Sequence, residues 1–394
     1  MNIVFLYAGE ILPERGGVQR VTHVLSDYFE SKNLNIYYLA LPNITDTIKT
    51  SRRQYFLPSK SDFEMNSAFY LKFLEAKKIN LVVNQSGINP FISNLSYEAS
   101  KIDIKVISVI HTSILTGIKN FSALYRSKAK KMNLAWVLPL ADIKIINNLI
   151  CYLYKIKYKS HYRALCNKSS KVILLSNKLK KELIYISGIN KLQNVIAIPN
   201  PLSFRPENIN IKNKKKELLY VGRVDTYHKR VDLLLDIWNR LYEKFPDWKL
   251  KIVGGGNELN EVMNYSKKLN LERVSFEGFQ NPEPYYKRAS IFCMTSSSES
   301  FGMVLLEAMQ YGAVPFAFNS YLSVTDIIDD KKNGILISSF DCIDYAKQLE
   351  FIMNNIKIRK MLAENAIVKT AIFSVKEIGD LWIQIFETIN LNKN

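Results

Sequence analysis

Two glutamates, Glu299 and Glu307, stand eight positions apart on either side of a Phe301-Gly302 turn. The apolar segment before them, Ala289 to Met294, is typical of a buried strand, and the apolar residues after the turn recur at helical spacing. Glu299 is therefore predicted at the mouth of a helix, and Glu307 within that helix. A helix N-terminus reached through small residues suits a phosphate, and ionised carboxylates accept hydrogen bonds from hydroxyls. The pattern predicts a site for a sugar nucleotide.

Two basic residues, Arg223 and Lys229, lie six positions apart in an earlier loop. The loop follows a strand-like segment, Glu217 to Gly222, whose final glycine lets the backbone approach a ligand closely. An arginine can bind two phosphate oxygens as a fork, and a lysine contributes a mobile point charge. The pair therefore predicts a diphosphate site.

Three further features at the ends of predicted strands are weak on their own. They are the run Gly254 to Gly256, the pair Gly16-Gly17 and the single histidine His111. Tight βα turns use such glycines without any ligand, and a histidine at a strand end is more often structural. Neither half carries a G-x-G-x-x-G dinucleotide fingerprint after its first strand.

Sequence signals for a metal ion are missing from the chain. It has no H-E-x-x-H, no paired C-x-x-C and no D-x-D of the kind that holds a metal-bound nucleotide. Arg223 and Lys229 would supply the positive charge that Mg²⁺ supplies elsewhere. We therefore predict a reaction that needs no metal and no cofactor besides the nucleotide-sugar substrate.

The segment around the two glutamates resembles the E-x7-E motif of family 4 retaining glycosyltransferases (glycosyl transferases group 1), which have the GT-B fold. The resemblance is strongest over residues 217–338 and thinner in the first half. It implies catalytic roles for His111, Arg223, Lys229 and Glu299. It implies donor-binding roles for Gly16, Gly17, Gly222, Gly254, Gly255, Ser300, Phe301, Gly302, Met303, Val304 and Glu307.

The same resemblance implies how the residues divide the donor among them. Arg223 and Lys229 bind the diphosphate, Glu307 the ribose hydroxyls and Glu299 the hydroxyls of the donor sugar, while His111 lies near that sugar. UDP with a hexose or N-acetylhexosamine is the commonest donor in the family. The chain departs from the family pattern at Ser300 and at Arg230, where glycine is common, and neither change removes a predicted contact.

Apolar strand-like runs alternate with helix-like segments throughout, which predicts parallel sheets covered on both faces. We expect a GT-B arrangement of two Rossmann-like, doubly wound domains that face each other across a cleft. Residues 1–206 are predicted to bind the acceptor and 207–375 the nucleotide sugar, with a lysine-rich linker at 207–216. A final helix within 376–394 is expected to return to the first domain.

The net charge of +18 is uneven. Residues 1–200 carry 28 Lys and Arg against 12 Asp and Glu, and the basic residues between 119 and 181 are interleaved with aromatic side chains. Such a surface suits an anionic membrane interface, and a lipid-linked acceptor would explain it. A merely solvated lysine-rich face is the alternative, and a nucleic-acid partner is not expected because no known binding module is present.

The first residues lack a basic leader, and the four cysteines lack metal or disulfide spacing. We therefore expect a cytoplasmic protein with reduced thiols, peripheral on the inner face of the cytoplasmic membrane. The predicted function is transfer of a hexose or N-acetylhexosamine from a nucleotide sugar to a glycan or lipid-linked acceptor in surface polysaccharide or glycolipid synthesis. A nucleotide-sugar epimerase, and a non-catalytic sugar- or nucleic-acid-binding protein on the same fold, are the alternatives.

Overall fold

The computed structural model describes residues 1–13, 16–42, 54–119, 132–141, 143–204 and 211–391, with residues 129 and 209 described singly. Two compact units account for the chain. The first comprises Met1–Thr112, Tyr152–Ser203 and Ile372–Asn394, and the second comprises Ser113–Cys151 and Phe204–Ala371. Each unit contains its own sheet and its own core.

The strands are β1 Asn2–Tyr7, β2 Asn35–Ala40, β3 Gln54–Phe56, β4 Leu81–Asn84, β5 Lys105–Ile110, β6 Lys171–Leu174, β7 Val195–Ala197, β8 Lys215–Val221, β9 Lys249–Val253, β10 Val274–Gly278, β11 Ala289–Met294, β12 Val314–Phe318 and β13 Ile335–Ile337. The helices are α1 Gly17–Ser31, α2 Phe63–Ala76, α3 Pro90–Tyr97, α4 Thr116–Lys119, α5 Leu138–Ala141, α6 Lys144–Lys168, α7 Lys180–Ser187, α8 Val231–Asn239, α9 Leu259–Lys268, α10 Glu283–Arg288, α11 Met303–Gln310, α12 Val324–Ile327, α13 Cys342–Asn354, α14 Ile356–Thr370 and α15 Val375–Leu391.

The first unit is built on a parallel sheet with the strand order β3-β2-β1-β4-β5-β6-β7. The C-terminal helix α15 belongs to this unit and packs on α1. Tyr28 donates a hydrogen bond to Asp380 at 2.5 Å, and the rings of Phe29 and Phe386 meet edge to face at 5.2 Å. The return of the last helix to the first unit agrees with the predicted fold class.

The second unit is built on a parallel sheet with the strand order β10-β9-β8-β11-β12-β13. Its main core cluster is formed by buried aliphatic and aromatic side chains at alternate positions of the strands and by side chains of α8, α9, α13 and α14. Trp238 of α8 is among the largest fully buried residues. The two doubly wound sheets confirm the predicted fold class. Within the described residues, no helix is both long and apolar enough to span a membrane.

One predicted helix is shorter in the structure. The pattern predicts a helix from Val231 to Phe245, but α8 ends at Asn239. Leu241 and Phe245, which continue the apolar pattern beyond α8, are both buried. The backbone there forms tighter turns, in which Leu241 N–H donates a hydrogen bond to Trp238 C=O at 2.9 Å. Pro246 restrains Phe245 from helical geometry, so the helix could not extend past this point.

Candidate active site

The loops that carry the predicted donor residues follow three adjacent strands of the second sheet. The loop after β8 carries Arg223 and Lys229, the loop after β9 begins at Gly254, and the segment after β11 carries Glu299. Strands β9, β8 and β11 are neighbours and parallel, so their carboxyl ends lie on one edge of the sheet. Ligands of open α/β sheets bind at this edge.

Two of the loops touch through their backbones at glycine. Gly254 has φ of 140°, and a Cβ atom added there would lie 1.9 Å from the carbonyl oxygen of Gly222. Gly222 itself has φ of 149°, and a Cβ at Gly256 would lie 2.4 Å from the carbonyl oxygen of Val224. Glycine is therefore required at position 254, because a Cβ atom would overlap a backbone oxygen and because φ is positive. The Gly254–Gly256 run in the sequence does not by itself distinguish this requirement from an ordinary turn.

Gly254→Ala is expected to lower the free energy of unfolding by about 3 kcal/mol or more, or to prevent folding, because strain and overlap act together. The matched control is Gly255→Ala, since a Cβ there would meet nothing closer than the Cβ of Phe279 at 3.9 Å. Thermal unfolding of both variants is the measurement. Equal melting temperatures for the two variants would contradict the backbone contact.

The loop after β8 is organised by a residue that the sequence analysis did not select, Asp225. Its carboxylate accepts hydrogen bonds from the backbone N–H groups of His228 and Lys229 and from Nε of Arg223, each at 2.7 Å. An Asp that accepts bonds from amide groups three and four residues later is a recognised turn device, and this spacing was the available signal.

Lys229 and Glu299 form an ion pair in the second unit. Lys229 Nζ lies 2.5 Å from Glu299 Oε1, and Ser296 Oγ donates to the same oxygen at 2.7 Å. The two side chains are 21% and 12% exposed, so the pair is largely shielded from bulk water yet reachable from the surface. The structure thus brings together a cation and a carboxylate that the family resemblance assigns to neighbouring parts of one ligand.

The departure from the family pattern at Arg230 has a visible backbone consequence. Arg230 caps α8 with φ of 50°, in the left-handed region that glycine adopts most easily. Its side chain forms an ion pair with Asp232 at 3.1 Å and lies over the ring of Phe340 at 5.8 Å. These contacts hold a conformation that a glycine would adopt without strain.

The helix that follows Glu299 begins at a glycine. Gly302 caps α11 with φ of 96°, and a Cβ there would lie 2.5 Å from the hydroxyl oxygen of Tyr321. Phe301 is buried, while Ser300 is exposed. Met303 and Val304 form the first turn of α11, where N–H groups lack helical partners.

Glu307 lies within α11, as predicted, but its side chain is buried. The residue is only 1% exposed, and Oε2 accepts a hydrogen bond from the hydroxyl of Tyr286 at 2.9 Å. A buried carboxylate must be hydrogen bonded to remain stable in its place, and Tyr286 of α10 supplies one such bond. Binding of ribose hydroxyls by Glu307 stays a prediction.

The other predicted residues lie in the first unit. Gly16 precedes α1 in an extended conformation, and a Cβ at Gly17 would meet no atom within 4 Å, so the space beside Gly17 is open. His111 follows β5, and its Nε2 is hydrogen bonded to Gln85 after β4. Burial lowers the pKa of His111 to about 4, so the imidazole is neutral near pH 7. Gln85 was not selected by the sequence analysis.

Within the residues that the structure describes, no three His, Cys, Asp or Glu side chains are placed together to hold a metal ion. The absence of a metal requirement stays a prediction.

Comparison with known proteins finds a family match within the second unit. Residues 204–369 match the family model "Glycosyl transferases group 1". An uncharacterized glycosyltransferase of Haemophilus influenzae is 33% identical over 194 residues, 49% of this chain and 55% of the relative. The amylovoran biosynthesis glycosyltransferase AmsD of Erwinia amylovora is 30% identical over 225 residues, 55% of this chain and 62% of the relative. The chain thus spans between half and two thirds of the length of these curated relatives.

Solved structures show the same fold. The apo form of the lipopolysaccharide outer core galactosyltransferase WaaB superposes with a TM-score of 0.68 at 20% identity, over 98% of this chain and all of that one. Anabaena HepE in complex with UDP-glucose superposes with a TM-score of 0.71 at 15% identity, with the same coverage.

The two parallel sheets and the loops at the carboxyl edge of the second sheet define a protein of the GT-B fold. Residues 204–369 match the glycosyl transferases of group 1, the group that the E-x7-E resemblance predicts. Its assignment to family 4 within that group stays a prediction.

Proposed function

We propose that this protein is a retaining glycosyltransferase that moves a hexosyl or N-acetylhexosaminyl unit from a nucleotide diphosphate sugar to an acceptor hydroxyl. The observation that carries the proposal is the grouping of Arg223, Lys229 and Glu299 at the carboxyl edge of the second sheet, beside the N-terminus of α11. Cations, a carboxylate and free helix amides are the groups that a diphosphate and a sugar need.

In the proposed mechanism, negative charge grows on the diphosphate as the bond to the anomeric carbon breaks. Arg223 and Lys229 stabilise that charge, and preorganised cations aimed at a leaving group supply large stabilising terms. Glu299 accepts hydrogen bonds from the hydroxyls of the donor sugar. The leaving phosphate takes the proton of the acceptor hydroxyl, so no separate base is assigned.

The donor and acceptor classes rest on the relatives. HepE is solved with UDP-glucose, which supports UDP as the carrier, and WaaB and AmsD carry names from lipopolysaccharide and amylovoran synthesis. We propose that the acceptor is a glycan or a lipid-linked glycan of a surface polysaccharide. No metal ion is required in this scheme.

The proposal is tested by incubating the protein with UDP-glucose, UDP-galactose and their N-acetyl analogues, with a bacterial lipid extract as the acceptor source. Release of UDP together with a sugar-bearing lipid whose anomeric configuration matches the donor is the expected result. UDP release with inversion would overturn retention. Interconversion of the free nucleotide sugars would favour the epimerase alternative instead.

We further propose that the protein binds the anionic inner face of the cytoplasmic membrane through helix α6. Five apolar side chains of this helix, each between 54% and 80% exposed, lie at spacings of four, three, one and three residues and so share one face. They are Ile145, Leu149, Tyr152, Leu153 and Ile156. A contiguous exposed apolar stripe on a helix is typical of an interaction surface.

The charge of α6 supports a lipid partner rather than a second protein. The helix contains six Lys or Arg residues and no Asp or Glu. Lys157 and Lys159 are exposed, and each cation near an anionic surface contributes about 1 kcal/mol. Of the aromatic residues expected at this surface, Trp136 is 75% exposed and precedes α6, while Phe121 and Tyr125 lie outside the described residues.

The double variant Leu149→Ser/Ile156→Ser is expected to reduce binding to liposomes rich in phosphatidylglycerol at least tenfold, because two exposed side chains lose their burial in the interface. Liposome flotation at low salt is the measurement. Ile343→Ser/Val368→Ser is the matched control, since both residues are comparably exposed elsewhere on the chain. Equal binding by both variants would overturn the role of α6, and loss of a dimer on gel filtration would identify a second copy as the occupant.

A further inference from the structure

The side chain of Asp225 is almost completely buried beside the predicted diphosphate site. It is 4% exposed, whereas its partner Arg223 is 55% exposed. A buried carboxylate costs several kcal/mol unless its charge is paired and its oxygens are hydrogen bonded. Asp225 meets this requirement through three charge-assisted bonds, two on Oδ1 and one on Oδ2. Its position is therefore strongly determined.

The bond on Oδ2 fixes the direction of the arginine. It engages only Nε of Arg223, and among the described residues no hydrogen bond is made by the two terminal nitrogens of that guanidinium. The half-exposed side chain is thus held at its inner nitrogen, with its outer edge available. The outer edge of a guanidinium is the part that binds phosphate oxygens in pairs.

The bonds on Oδ1 fix the backbone from which Lys229 extends. The same backbone is bound from the other side by the segment after β11. Ser297 N–H donates to His228 C=O at 2.7 Å, and Thr295 Oγ1 donates to Lys229 C=O at 3.0 Å. Lys229 then reaches Glu299. One buried carboxylate therefore connects both predicted phosphate-binding cations to the loop that carries Glu299.

We infer that Asp225 is a positioning residue of the diphosphate site, which holds the fork of Arg223 and the backbone of Lys229 in place without touching the donor. This inference rests on the proposed function, because it assigns Arg223 and Lys229 to the diphosphate. It goes further by naming the group that preorganises them. Preorganised charge costs no reorganisation when the ligand binds.

The variant Asp225→Asn tests the contact with Arg223 separately from the contacts with the backbone of His228 and Lys229. The amide oxygen can still accept from the backbone N–H groups of His228 and Lys229, but the amide nitrogen now faces Nε of Arg223, donor against donor. We expect UDP affinity to fall about tenfold with little change in melting temperature. Asp225→Ala loses all three bonds and is expected to lower both. Asp247→Asn is the matched control, because that carboxylate pairs with Lys216 on the surface.

A double-mutant cycle with Arg223→Ala decides whether Asp225 acts through the arginine. The probe is UDP, with GDP and ADP measured in parallel, and the readout is the dissociation constant from calorimetry. If Asp225 acts through Arg223, the variant Arg223→Ala/Asp225→Asn binds no more weakly than Arg223→Ala alone.

Two results would overturn the inference: unchanged affinity in Asp225→Asn, or a full tenfold loss added on top of Arg223→Ala. A different result would overturn the proposed function itself. If Arg223→Ala alone binds all three nucleotides as the unmodified protein does, the diphosphate site is not at this loop.

Discussion

Arg223→Ala is expected to lower kcat/KM for the nucleotide sugar by about 100-fold or more. The guanidinium is held by Asp225 with its outer edge free, and we assign it to the charge that develops on the leaving diphosphate. Removal of one preorganised group aimed at developing charge costs about 10²–10³ in rate. Steady-state kinetics with varied donor is the measurement.

Two further variants serve as controls: one keeps the positive charge at position 223, and the other removes a similar arginine elsewhere in the second unit. Arg223→Lys keeps the charge but loses the fork, so it should recover only part of the activity. Arg288→Ala removes another half-exposed arginine whose Nε pairs with a carboxylate, that of Glu217 at 3.3 Å, and activity should be preserved. Equal losses in Arg223→Ala and Arg288→Ala would show that the effect is not specific to the site.

Glu299→Gln is expected to lower turnover without weakening the binding of UDP. Glu299 forms an ion pair with Lys229, and we assign the same carboxylate to the hydroxyls of the donor sugar. The amide removes a charge that competes with the diphosphate for Lys229. UDP should therefore bind as tightly as before or more tightly, while kcat with the nucleotide sugar falls about 100-fold.

The matched control for this variant is Glu98→Gln in the first unit. Glu98 also accepts hydrogen bonds from one lysine and one serine, Lys101 Nζ and Ser67 Oγ, each at 2.6 Å. The change in chemistry is the same, but Glu98 belongs to the first unit, whereas Lys229 and Glu299 belong to the second. A fall in UDP affinity in Glu299→Gln that matches the fall in kcat would contradict the division of roles.

The regular elements were largely predictable because their signals are local. Strands β4, β9 and β12 have the bounds that the sequence predicts. In β12 all five residues are buried, as expected for a strand of a parallel sheet that is covered on both faces. Strand β3, Gln54–Phe56, was not predicted. It has three residues, all of them partly exposed, and lies at the edge of its sheet, so neither length nor periodicity marks it.

For the candidate site, the sequence predicts charged residues and glycines whose roles stay predictions. Asp225 and Gln85 escaped because their importance arises from the atoms that they meet in the folded chain. Burial of Glu307 against Tyr286 was likewise not visible in the spacing of the two glutamates. Sequence spacing indicates which groups could share a ligand, whereas hydrogen bonds to residues far along the chain decide how those groups are held.

Metal-independent binding of a nucleotide diphosphate sugar by the second unit is tested by thermal unfolding with UDP-, GDP-, ADP- and dTDP-sugars, each with and without EDTA. A ligand that binds only the folded protein raises the melting temperature by mass action. We predict a clear rise with one nucleotide, unaffected by EDTA and absent in Arg223→Ala. No rise with any nucleotide, or a rise that EDTA abolishes, would contradict the account.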